Sequence, residues 1–190
     1  MMDSAVTRQR RHRATVAEVL LRVHQSSGLE SPEQWDWEAL AIIPQWCLLE
    51  PQEREHLQAV CGALVLGPGL LRWVHGCALR SAGDLIGLRL FLAIQDQLQK
   101  LQLDTPVPVT HDAAAPETAE QARDHLLAEG AAVLFATLPE QFATEPMIAS
   151  LGDRRGNVRP DTAAVLLGQA QEMILRHPEP QPQKQPEQPA

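Results

Sequence analysis

His75-Gly76-Cys77 is the closest approach in this chain to a nucleophile beside a base. A reactive cysteine needs an electropositive, partly exposed setting and a base within hydrogen-bond reach. Two residues apart on a helix point to different faces, so His75 and Cys77 do not meet there. Cys77 also falls on the helical stripe of Leu70, Val74 and Ala78, which predicts a core thiol beside a surface histidine. His56 and Cys61, five apart, diverge in the same way. A zinc site built from His56, Cys61, His75 and Cys77 lacks the paired ligand spacing of such sites.

The segment GDRRGNVRP gathers Arg154, Arg155 and Arg159 around two glycines, ahead of a helix start at Pro160. Helix N-termini flanked by arginine can hold phosphate. Asp153 and Asp161 place carboxylates at the same spot, and the Lys-Ser/Thr of a P-loop is lacking. The segment reads as a polar interhelix loop whose arginines could serve a protein contact. Glu53 and Glu55, like Asp36 and Glu38, splay apart on a helix and read as solvated faces. No GxSxG elbow, HExxH motif or dinucleotide fingerprint occurs. The expectation is a non-enzyme with no catalytic residue, metal, cofactor or small-molecule substrate.

Tryptophan is the other feature with binding potential. Trp35 and Trp37 cannot share one helix face, and Trp46 follows a proline in a connecting segment. Indoles of this kind are core residues or anchors of protein interfaces. The candidate interface residues are therefore Trp35, Trp37, Trp46, Arg154, Arg155 and Arg159.

The elements that must position these residues are helical. Val16, Val19, Leu20 and Val23 repeat at helical spacing behind Thr15 and Glu18, a capping-box pair, with an end near Gly28. A short helix over 35–43 stops at Pro44. The next opens at Pro51, buries Leu57, Val60, Cys61, Leu64 and Val65, and stops at Gly67-Pro68-Gly69. A helix of about three turns carries Leu70, Val74, Cys77 and Ala78 on one face. Ser81 and Asp84 then cap another, with Leu85, Leu88, Phe91, Leu92, Ile94, Leu98 and Leu101 facing the core. Beyond a Pro/Ala-rich linker, Ala119, Ala122, Leu126, Val133, Leu134 and Leu138 mark a helix weakened or bent at Gly130. A short helix over 139–151 buries Phe142, Ile148 and Leu151. The last, from Pro160 to about His177, buries Val165, Leu166, Ala170, Met173 and Ile174.

The fold class is thus all-α: an irregular multi-helix domain of two helical subdomains sharing a core. A basic arm spans 1–13, the subdomains 14–103 and 117–177, a linker 104–116, and a disordered Pro/Gln tail 178–190. The net charge of -8 repels nucleic acid and anionic lipid outside the short arm Arg8–Arg13. Three cysteines, 14 and 16 residues apart in apolar runs, fit free buried thiols in a reducing cytoplasm. No secretory leader is visible, and no apolar run approaches the roughly 20 residues of a membrane span.

Pro44-Gln45-Trp46 followed by Leu48-Leu49, then Gly62-Ala63-Leu64, Leu71-Arg72 with Gly76, and Asp84-Leu85-Ile86-Gly87 make a helical block of leucines, glycines and small residues. With the later Ala136-Thr137-Leu138-Pro139, it resembles the K-type (YscK/PscK- and OrgA-like) accessory proteins of bacterial type III secretion systems. The likeness covers about 40–150. It implies a structural adaptor of the cytosolic sorting platform, at the cytoplasmic face of the inner membrane. Its implied partners are the cytosolic domain of the inner-membrane ring protein, the Q-type pod protein and the L-type stator. The alternative is a helical secretion chaperone or regulator that binds an apolar client segment.

Overall fold

The structure is a computed structural model that describes residues 10–11, 13–18, 21, 39–104, 115–142, 149, 151–152 and 158–178, with only the backbone described for 39, 101–104 and 141. Among the described residues there is no strand, and the architecture is all-α as the periodicity requires. The helices are α1 (Pro51–Leu66), α2 (Gly76–Ile86), α3 (Leu88–Asp104), α4 (Ala119–Ala136) and α5 (Pro160–Arg176). Shorter 3-10 turns cover Ala39–Ala41, Gln45–Leu48, Gly67–Arg72 and Glu140–Phe142.

Helix α1 starts where its sequence says it should. Pro51 occupies the first turn, where its missing N–H costs nothing, and the Glu50 N–H donates to the Glu53 carboxylate at 3.2 Å. Leu57, Val60 and Cys61 are buried, Leu64 and Val65 partly so, and Gly67 ends the helix. Helix α4 opens with a reciprocal cap. The Gln121 N–H donates to the Thr118 hydroxyl at 3.1 Å, and the Thr118 N–H donates to the Gln121 side-chain oxygen at 3.3 Å.

Helices α1 and α4 make the most extensive helix pair, and they meet backbone to backbone. A Cβ on Gly62 would lie 1.9 Å from the Leu126 carbonyl oxygen, and one on Gly130 would lie 1.8 Å from the Gln58 carbonyl oxygen. Helix α4 continues through Gly130 without interruption, and the glycine there serves close approach to α1. Gln58, buried in this contact, donates its amide to the Leu127 carbonyl at 2.7 Å and the Leu151 carbonyl at 3.0 Å. Both bonds offset the desolvation of a polar side chain.

Helix α2 packs on the other flank of α4, and α5 touches both α1 and α4. One buried cluster joins Trp46, Val60, Leu70, Ile86 and Ile94 to Leu126, Leu134, Ala163 and Ala170. Val16 is enclosed in it as well. Residues 13–18 are already helical, so Thr15 is no N-cap; its hydroxyl donates back to the Arg11 carbonyl at 3.0 Å.

Several expectations need correction. The chain between Leu70 and Cys77 is not one helix: a 3-10 turn ends at Arg72 and extended residues precede α2. Helical phase is lost across that break, so Val74 and Cys77 are exposed while Leu70 is enclosed. Ser81 lies within α2 and caps nothing; its hydroxyl donates to the Ala119 carbonyl at 2.9 Å. Gly87, at a φ of 91° that side chains disfavour, separates α2 from α3 and resets the phase. Leu90, Phe91, Ile94 and Leu98 then face inward, while Leu88 and Leu92 face solvent. Val165 is likewise exposed, its place in the core taken by Ala163. The Leu101 side chain, Val19, Leu20, Val23 and Ile148 lie outside what is described, whereas Phe142 and Leu151 are buried as expected.

The glycine crossing makes a sharp prediction. Gly62→Ala and Gly130→Ala should each destabilise by on the order of 3 kcal/mol, because the added methyl overlaps a backbone carbonyl that cannot move alone. Gly168→Ala, in α5 with open space around it, should gain about 0.5–1 kcal/mol from helix propensity. Urea denaturation of the three variants checks this, and equal effects at all three sites would refute the crossing.

Candidate functional site

The residues with chemical potential end up dispersed. His56 is half-buried on α1, and its Nε2 lies 2.7 Å from the Ile86 carbonyl oxygen. A carbonyl only accepts, so that nitrogen carries the proton and the ring ties α1 to the C-terminus of α2. His75 precedes α2 and is exposed. The Cys77 thiol, exposed rather than in the core, donates to the Glu117 carbonyl at 3.0 Å. With Ser81 one turn later bonding Ala119, it pins the approach to α4. Cys61 is fully buried, so the four residues weighed for zinc are not gathered. Among the described residues, no group of three His, Cys, Asp or Glu could hold a metal ion.

Burial suppresses the two interior thiols. Desolvation pushes Cys61 up to about 12, and pushes Cys47 up to about 12 against a smaller opposing effect of the nearby Arg54 charge. At neutral pH neither supplies a thiolate.

The interface candidates separate. Trp46 is fully enclosed, so it is a core anchor and offers no indole to a partner. Its Nε1–H donates to the Thr137 hydroxyl at 3.0 Å, and that hydroxyl donates in turn to the Leu134 carbonyl at 2.7 Å. The chain of bonds ties the Gln45–Leu48 turn to the end of α4. Arg159 is exposed at the start of α5, beside Asp161 in its first turn. Trp35, Trp37, Arg154 and Arg155 lie outside the described residues.

Two clefts flank the first turns of α1, and neither was foreseen. Arg54, Glu55 and Gln58 look one way and Glu53 and His56 the other, as the 100° step per helical residue requires. The first cleft, of about 590 Å³, lies between α1 and α4 and is lined by Arg54, Glu55, Gln58 and Asp124, with Leu127 and Leu151 beneath. Glu55 is already paired with Arg123, and the Gln58 amide is committed to two carbonyls. Its described lining thus holds charges that compensate one another and no nucleophile. The second cleft, of about 700 Å³, lies between α1, α2 and α5 and brings together Glu53, His56, Asp84, Leu85, Leu175 and His177. No sequence motif marks either, because each is assembled from helices far apart in the chain.

No protein family, curated protein or solved structure matches this chain in comparison.

Two outcomes follow from these contacts. Thr137→Val leaves the buried indole N–H without an acceptor and should cost about 1–3 kcal/mol, whereas Thr137→Ser, which keeps the hydroxyl, should cost less; chemical denaturation of both decides. The buried thiols make stability sensitive to alkali. Each keeps its proton in the folded state to about pH 12 but loses it near 9 when unfolded. The unfolded state therefore binds fewer protons between those values, and stability, intact below pH 9, falls as pH rises toward 12. The chain has no tyrosine, and its lysines are only Lys100 and Lys184, so few other side chains titrate there. Cys47→Ala/Cys61→Ala should flatten the pH dependence of the melting temperature across that window.

Proposed function

We propose that this chain is a non-enzymatic helical adaptor of a type III secretion sorting platform, linking the inner-membrane ring protein's cytosolic domain to the Q-type pod protein. The observation that carries this reading is the hydrogen bond from Trp46 to Thr137, 91 residues apart. Trp46 belongs to Pro44-Gln45-Trp46 and Thr137 to Ala136-Thr137-Leu138-Pro139, two of the stretches similar to the K-type proteins. Of the other three, Gly62-Ala63-Leu64 sits at the crossing with α4, and Asp84-Leu85-Ile86-Gly87 supplies the Ile86 carbonyl that holds His56. Four of the five similar stretches join parts of the core, where a shared fold would concentrate likeness; the exception is Leu71-Arg72 with Gly76, of which Arg72 and Gly76 are exposed. No described helix is long and apolar enough to cross a membrane, so a place at the inner membrane would come through protein partners, with the L-type stator reached through the Q-type protein.

One observation favours a second reading as a chaperone or regulator for an apolar client segment. Leu88 and Leu92, one turn apart on α3, are 62% and 54% exposed and form an apolar strip.

Purified chain should bind the Q-type protein or the ring protein's cytosolic domain from its own genome at micromolar concentration, and its deletion should abolish secretion. No association with either, together with intact secretion after deletion, overturns the adaptor reading. Retention of effectors, lost in Leu88→Ser/Leu92→Ser, would favour the chaperone instead.

A further inference from the structure

We infer that the cleft between α1, α2 and α5 is a docking site for a basic amphipathic helix of a partner protein. The inference stands on the cleft itself and is independent of which machine the chain serves. Two helices end here. Asp84, Leu85 and Gly87 bring the C-terminus of α2 to one wall, and Ile174, Leu175 and His177 bring that of α5 to another. Helix C-termini present unsatisfied carbonyls and the negative end of the macrodipole; α3 begins at Leu88 and sets its positive end beside that of α2, so the α5 terminus and the carboxylates carry most of the negative field. Only part of this is answered internally, by the Gly87 N–H donating to the Gly83 carbonyl, the His56 ring donating to the Ile86 carbonyl and the His177 N–H donating to the Met173 carbonyl. The carboxylates of Glu53 and Asp84, both exposed, add to the same field. Glu53 also sits in the first turn of α1, where it offsets the positive end of that helix. No lysine or arginine is among the described lining, and the nearest on α5, Arg176, is paired with Glu172 at 2.5 Å.

An electronegative wall selects cations, and the apolar surface says what carries them. Leu175 is 81% exposed at the cleft, beside the half-buried Leu85 and Ile174. Leucine in such a position is satisfied by another apolar side chain, so the ligand must present apolar and cationic groups together. An opening of about 700 Å³ exceeds a lone metal ion or amine, and suits one face of a helix whose leucines meet Leu175 while its arginines or lysines meet the helix ends. Nucleic acid is repelled by the same charges. The chain's own segment beyond Pro178 is a poor occupant: it sets Lys184 against Glu179 and Glu187 and has no large apolar side chain.

The experiment titrates full-length protein with a labelled helical peptide of leucine and arginine at i, i+4 spacing, and with its glutamate-for-arginine twin, by fluorescence anisotropy. The arginine peptide should bind and the twin should not. Glu53→Gln/Asp84→Asn, in which glutamine still accepts from the Glu50 N–H, should weaken binding about tenfold. Leu175→Ser should weaken it comparably. Asp161→Asn, at the far end of α5 about 21 Å from Leu175 by helical rise, should leave it unchanged. Circular dichroism melts confirm that the variants fold. No binding, equal binding of the twin, an effect of Asp161→Asn matching that of the cleft pair, or indifference to Leu175→Ser overturns the inference. So does a dimer that dissociates on Leu175→Ser, because a second copy would then occupy the cleft.

Discussion

A side chain of any size at Gly62 or Gly130 would drive a β-carbon into a carbonyl of the opposing helix, so α1 and α4 can only meet as they do with hydrogen at both positions. That contact brings two backbones together, and it sets the distance at which every other element must fit. Gln58 makes it specific. Its amide bonds carbonyls at Leu127 and Leu151, so sliding one helix along the other would strand a buried polar group.

The remaining packing hangs on this pair. Trp46 fills the space at the C-terminal end of α4 and is held there by Thr137. Cys77 and Ser81 fasten α2 to the carbonyls that lead into α4. His56 fastens α1 to the end of α2, closing the triangle of helices. These ties are mostly side chain to backbone, which resists rearrangement more than apolar contact alone. They also decide where surface remains open. Both clefts lie beside the first two turns of α1, where the helix has left its tight contact with α4 and its polar residues take over.

Much of the fold was legible in the residue pattern. Pro51 and Gly67 bounded α1, and the spacing of Leu57, Val60 and Cys61 gave its inward face. The start of α5 at Pro160 and the burial of Phe142 and Leu151 were readable too. The capping pair Thr118 and Gln121 is a local signal of the same kind for the start of α4. Periodicity misled where helical phase was interrupted. Between Leu70 and Cys77, and again at Gly87, the chain leaves the helix. The stripes extrapolated across those breaks put Val74, Cys77, Leu88 and Leu92 inward although they are exposed, while Leu70, Ala78, Phe91, Ile94 and Leu98 are buried as expected. Gly130 shows a different limit: alone it reads only as a weak point in a helix, while opposite Gln58 it is what lets two helices touch.

Function was less legible than fold because, among the described residues, no single segment gathers a site. The chemistry-bearing types are scattered, and of the candidate interface residues Trp46 belongs to the core while Arg159 is exposed. The sequence by itself determined the helical class and the ends of α1 and α5. These are local properties, set by capping, proline geometry and the 100° helical step. Only tertiary structure decided which glycines face a carbonyl, which tryptophan is enclosed, and that two helix ends share a cleft with Glu53, Asp84 and Leu175. Those are relations between residues tens of positions apart, and their physical content, close contact and summed electrostatic field, exists only once the helices are brought together.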